Sequence, residues 1–253
     1  MRKTLVALLL LLTGCPKDAP EGNALLSEVR RGLTEREQRL TSYHLAGESR
    51  EGEHVATHAF FFRAPNKMHG VVMHPAHLEW SWDGAHLVKL EFGQKRLSRF
   101  ELKLPAEKSA MFLTSTFAPF VNEGFRTPLM PSRGVRATKV SHPKGPDAVK
   151  LEVEISPQLK LTYVLRWPTG DFLSRRSEGE GHVSELTVEE EACDEKLKLC
   201  VPRVTVQTID GHQELRTRLT TIELNADVPA DDFAPPKLPE GWTEETHDVV
   251  ESG

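Results

Sequence analysis

From about His44 almost to residue 225 the sequence keeps returning to one pattern, short runs with apolar residues at every second position, separated by pairs that turn the chain. Neighbouring side chains of an extended strand point to opposite faces, so period-two apolarity marks strands with one face buried. The alternation is cleanest in "LTYVLRW", where Leu161, Tyr163, Leu165 and Trp167 share one face and Thr162, Val164 and Arg166 the other. "AVKLEVEI" repeats it with Leu151, Val153 and Ile155. Pro65-Asn66 divides two apolar runs in "THAFFFRAPNKMHGVVMHP", and Asp83-Gly84 divides two more in "HLEWSWDGAHLVKLEF". Such turn pairs between apolar runs predict hairpins. With "QKRLSRFELKL", "HVSELTVEEEA", "CVPRVTVQTI" and "HQELRTRLTTIELN" the reading gives about ten or eleven strands, spaced as in a sandwich or barrel and not as in alternating strands and helices.

Two segments depart from this period. Asn23 is placed to cap a helix running to about Leu40, with Leu26, Val29, Leu33 and Leu40 near helical spacing and Glu, Arg and Gln on the other side. Gly32 weakens that helix without forbidding it. "KSAMFLTSTFAPFVNEGF" does not alternate, and Met111, Phe112, Phe117 and Phe120 predict a short apolar helix broken near Pro119. It either plugs the mouth of the sheet or moves as a lid over a cavity. "VPADDFAPPKLPEGW" lacks too many amide donors to continue a central strand, and residues 243–253, "TEETHDVVESG", read as an acidic flexible tail.

The N-terminus opens on Arg2 and Lys3 and then an apolar run from Leu5 to Leu12, too short to remain as a membrane span. Leu12-Thr13-Gly14-Cys15 resembles a bacterial lipobox, which implies a signal peptide over residues 1–14 and acyl chains such as palmitate on Cys15. Residues 15–22 then serve as lipidated cysteine and tether, and 23–242 as the folded domain. Pro16, where inner-membrane retention in well-studied sorting systems uses aspartate, favours the outer membrane, facing the periplasm. In that oxidising compartment Cys193 and Cys200, flanking "DEKLKL" with strand-like sequence on both sides, are expected to close a hairpin as a disulfide. A zinc site there would have only Asp194 and Glu195 to complete it.

The formal net charge is −5, and loss of Arg2 and Lys3 with the leader makes it more negative. No basic run is present to neutralise phosphates, so nucleic acid is not an expected partner. Among the eleven histidines, His54 and His58 are too far apart along a strand to share an ion. His74 and His77, with Glu79 nearby, flank a turn, but surface histidines are the simpler reading, and no metal site or cofactor is expected. Glu152 and Glu154 read as solvated side chains, and no H-E-x-x-H, G-x-S-x-G, P-loop or EF-hand string occurs. The expectation is a protein that is not an enzyme, with no catalytic residue.

The order of these features resembles the LolA/LolB-like lipoprotein-carrier superfamily. The resemblance is carried by "F-x-x-P-N-K" beginning at Phe62, by the Asp83-Gly84 turn and by the closing "I-x-L-N…F…P-x-G" of "IELNADVPADDFAPPKLPEG", within a stretch from about Ala24 to Trp242. It implies a mainly β fold: an incomplete antiparallel barrel, curved like a half-pipe, with an N-terminal amphipathic helix and a short helical insert covering the concave side. It also implies a partner that is a lipid or an acylated protein, bound between sheet and helices. The expected lining is Leu26, Val29, Leu33, Phe60, Phe62, Trp80, Trp82, Met111, Phe112, Phe117, Leu161, Tyr163, Leu165 and Trp167. The alternative is a packed, non-catalytic module that binds or senses another envelope protein.

Overall fold

The structure, a computed structural model, describes residues 22–74, 76–117, 123–125, 128 and 134–250. The signal stretch and Cys15 therefore lie outside the described residues. Helix α1 spans Gly22–Arg39, beginning just before Asn23, within the usual spread of helix boundaries. Its buried positions Leu26, Val29, Leu33 and Arg36, continued by Leu40 just past its end, recur at alternating steps of three and four and so form one stripe along the helix.

Six strands follow as a meander: β1 Ser42–Glu51, β2 His54–Arg63, β3 Lys67–His74, β4 Leu78–Trp82, β5 Leu87–Glu91 and β6 Arg96–Leu102. The expected turns join them. Arg63 opposes Lys67 across Ala64-Pro65-Asn66, and Trp82 opposes Leu87 across Asp83-Gly84. Asp83 closes its turn by accepting the backbone N–H groups of Ala85 and His86, both at 2.7 Å, while Gly84 takes the positive φ of 106°. Helix α2, Ala106–Phe117, then leads toward a second meander. This comprises β7 Val135–His142, β8 Gly145–Ser156, β9 Leu159–Arg166, β10 Phe172–Gly179, β11 His182–Asp194, β12 Leu199–Ile209 and β13 His212–Leu224.

The two meanders meet where β1 pairs with β13, giving one open sheet in the order β14-β6-β5-β4-β3-β2-β1-β13-β12-β11-β10-β9-β8-β7, in which β14 is Thr243–Val249. The seam is close. A Cβ on Gly47 would lie 2.3 Å from the Arg218 carbonyl oxygen, so any side chain there forces β1 and β13 apart.

Each helix covers one half of the sheet's inner face. Leu26, Val29 and Leu33 of α1 pack on Val149, Leu151, Val153, Tyr163 and Leu165 of β8 and β9. Leu113 and Phe117 of α2 pack with Tyr43, Leu45, Phe60, Phe62, Met68 and Trp82 of β1 to β4. The opposite face of the first meander is covered by the chain after β13. Val228 accepts from Arg63 (2.9 Å), the buried Phe233 accepts from Ser81 Oγ (3.1 Å), and Trp242 meets Phe92 edge-on at 5.1 Å.

The architecture is the expected incomplete barrel, open at both edges, and three details differ from the sequence reading. Among the described residues the sheet has fourteen strands where about ten or eleven were expected. Strands such as β7, "VRATKVSH", carry too few apolar residues to show the period. Residues 243–249 are not part of a flexible tail but form β14, paired with β6. Ile155 does not follow Leu151 and Val153 into the core: the β8–β9 register shifts between Glu154 and Ser156, leaving Ile155 exposed.

Candidate functional site

On β2 the side chains of Phe60 and Phe62 face inward, and the register carries that face across the meander. Phe62 opposes Met68, which opposes Trp82; Phe60 opposes Gly70, which opposes Trp80. Tyr43 of β1 stacks on Phe62 (4.9 Å, 23°) and lies 5.4 Å from Phe125, while Phe117 of α2 meets Phe60 edge-on at 6.0 Å. Phe60 and Phe117 are 0% and 1% exposed, so the interior beneath α2 is filled. Its margin is less closed: Val72, Trp80, Phe100 and Phe112 are half-buried against the cluster, with Trp80 and Phe100 5.4 Å apart. This apolar rim leaves part of the concave face open to solvent.

A charged network borders the rim. Lys89 Nζ lies 5.3 Å from the Trp80 ring and 2.8 Å from Glu91, and Arg96 donates to the same carboxylate at 2.6 and 2.9 Å. Burial pushes the Glu91 carboxyl up, but hydrogen bonds from Lys89 and Arg96 outweigh it and hold the group below its ordinary value.

The expected lining residues do not form one site. Phe60, Phe62, Trp80, Trp82, Phe112 and Phe117 gather under α2, whereas Leu26, Val29, Leu33, Leu161, Tyr163, Leu165 and Trp167 gather under α1. The side chain of Met111 and all of Phe120 lie outside the described residues. Trp167 also borders a cleft of about 280 Å³ with Lys139 and Asp147. A second cleft, of about 590 Å³, sits at the hairpin ends beside Leu159, Ser177 and His182, away from the aromatic rim.

Between the two clusters lies a polar knot that the sequence reading did not find. Arg36, 2% exposed, sits 3.6 Å from Asp171, 1% exposed, an ion-pair distance too long for a hydrogen bond. Arg36 Nη2 donates to the carbonyls of Gly124 (2.5 Å) and Cys200 (3.3 Å), and Asp171 accepts from the Cys200 N–H (2.9 Å) and Thr169 Oγ1 (2.6 Å). Burial lowers the Arg36 pKa, opposed by Asp171. A signal was present in the sequence: Arg36 falls three residues after Leu33 and four before Leu40, on the apolar stripe itself.

Nearby, Arg175 projects from the inner face of β10 to pair with Glu123. Burial raises the Glu123 pKa against the pull of Arg175, and burial together with the Glu123 charge pushes Tyr163 up to about 12. His58, on the inner face of β2, is buried, which lowers its pKa.

The other sequence candidates are engaged separately. His74 Nδ1 contacts the Val55 carbonyl at 3.0 Å, while His77 bonds Glu79 at 3.1 Å and stacks on Phe92. Glu152 lies 3.3 Å from Lys150 and 3.5 Å from Lys160. Among the described residues no group of three or more His, Cys, Asp or Glu side chains is arranged to hold a metal ion. Cys193 and Cys200 form a disulfide (S–S 2.01 Å) between directly opposed residues of β11 and β12. No helix among the described residues is long and apolar enough to cross a membrane.

The fold is LolA-like. The chain is similar to the solved structure of a LolA superfamily protein from Nitrosomonas europaea, with 12% identity, a TM-score of 0.50 and coverage of 82% of this chain and 97% of that one. It is similar at the same coverage to a DUF1329 family protein from Desulfovibrio piger, with 9% identity and a TM-score of 0.52. No family model matches the sequence, and no curated protein does.

Proposed function

We propose that this protein is a lipid-anchored envelope protein, held by Cys15 at the outer membrane and facing the periplasm, that binds an acyl chain, lipid or lipoprotein beneath α2 without catalysing a reaction. The observation that carries the reading is the half-buried rim of Val72, Trp80, Phe100 and Phe112 leading onto an all-apolar cluster roofed by one short helix. An acyl chain packed on the rim and sliding under α2 leaves water, each buried CH₂ stabilising the complex by about 0.8 kcal/mol, less the side-chain packing it displaces. The LolA-like fold and the lipobox-like Leu12-Thr13-Gly14-Cys15 support the same assignment.

A second reading, a non-catalytic interaction or sensor module, is favoured by the tight interior, where Val29, Leu33 and Phe117 are at most 3% exposed. The two separate on lipid extraction of the purified chain followed by mass spectrometry, combined with titration of a fluorescent fatty acid. The carrier reading expects co-purified lipid and saturable binding that Phe112→Arg weakens about tenfold, the effect of roughly 1.4 kcal/mol lost at the rim. A lipid-free protein that also leaves the probe unbound refutes it.

A further inference from the structure

Strand β14 is held unlike any other. Its pairing with β6 is parallel, from Thr243 opposite Arg96 to Val249 opposite Leu102, whereas the other ladders among the described residues are antiparallel. Every strand of the first meander places at least one apolar side chain in the core, but six of the seven β14 residues are exposed and Val249 is half-buried. Charge fastens β14 instead: Arg99 bonds Glu244, Arg96 lies 3.7 Å from Glu245, and Lys103 lies 2.7 Å from Asp248. His247 stacks on Phe100 at 5.1 Å. The segment leading to β14 is Pro-rich and anchored at Trp242 on Phe92, with the Thr243 N–H donating to the Lys95 carbonyl. The strand therefore begins just after a fixed point and rests on ladder bonds and exposed ion pairs, which are weak and screened by salt.

We propose that β14 is a detachable cover for the β6 edge, and that an extended acidic segment of another polypeptide pairs with β6 in its place. With β14 lifted, β6 offers a row of backbone donors and acceptors, the template that strand addition uses. Charge complementarity selects the occupant. Arg96 and Arg99 point to opposite faces of β6, so two adjacent acids in the incoming strand meet both, as Glu244 and Glu245 do. A third acid, four positions after the first, reaches Lys103 as Asp248 does.

The test uses the full chain and a fluorescein-labelled peptide with the sequence of residues 242–250. A strand tethered beside its site competes at an effective concentration of about a millimolar, so the unmodified chain is expected to bind the peptide feebly. Combined Glu244→Lys, Glu245→Lys and Asp248→Lys changes repel the cover and are expected to tighten peptide binding at least about tenfold. Adding Arg99→Ala and Lys103→Ala, or raising the salt, should reverse the gain. Hydrogen exchange on the unmodified chain supplies an independent readout: β14 amides should exchange far faster than those of β5. Equal protection of β14 and β5, or a folded triple variant that ignores the peptide, overturns the proposal. Reciprocal exchange of β14 between two copies, seen as doubled mass in light scattering, overturns the assignment to a different partner.

Discussion

Asp171→Ala removes the carboxylate that faces Arg36 in the knot between the two clusters and leaves a guanidinium 2% exposed without its counter-charge. Breaking a buried pair from one side costs about 3–5 kcal/mol, because the surviving charge has no water to return to. Arg36 keeps its bonds to the Gly124 and Cys200 carbonyls, but the Cys200 N–H, the Thr169 hydroxyl and Arg166 Nη1, 3.3 Å from Asp171, lose their acceptor. A central value of about 4 kcal/mol corresponds to a fall in Tm of roughly 8–16 °C for a chain of this size. Differential scanning calorimetry measures it directly. Replacing both partners, Arg36→Met with Asp171→Leu, should destabilise by less than the sum of the two single variants, since no isolated charge stays buried. A single variant that shifts Tm by under about 3 °C, or a double variant that is simply additive, refutes the view that the pair is desolvated and coupled.

Two further outcomes follow from the same physics. Reducing the Cys193–Cys200 disulfide releases a short closed loop, and the chain-entropy relation gives a loss of about 2.5 kcal/mol, to be read as a lower urea midpoint in dithiothreitol. Burial lowers the pKa of His58, so the unfolded chain binds a proton more readily than the folded one as pH falls below the ordinary histidine value. The stability contributed by neutral His58 is thus present above about pH 6.5 and lost below it, and His58→Gln should flatten that part of the pH profile of urea unfolding.

The parts of this fold that the sequence discloses are those where one physical effect dominates. Leu161, Tyr163 and Leu165 alternate because one side of β9 faces α1, and Asp83-Gly84 turns the chain because its side chain and φ permit little else. β14 was illegible for the opposite reason: with no buried side, "TEETHDV" carries no period, and its place is set by cations on another strand. Alternation assigned Trp80 and Leu161 correctly to inward faces, yet it says nothing about which helix covers which strand, so one expected lining became two clusters. Arg36 is hard to read for a different reason: an arginine side chain is ordinarily exposed, and only its place on the apolar stripe marks it as buried.

The seam between β1 and β13 sets a schedule for making the molecule. His44 and Glu223, neighbours across it, are about 180 residues apart in the chain, so the two strands pair only after a long loop has closed. Until that seam forms, the first meander has an unsaturated β1 border and a core that lacks its β13 side. Such a nascent intermediate invites chaperones or self-association, and it makes closure of the seam the slow, late event of maturation.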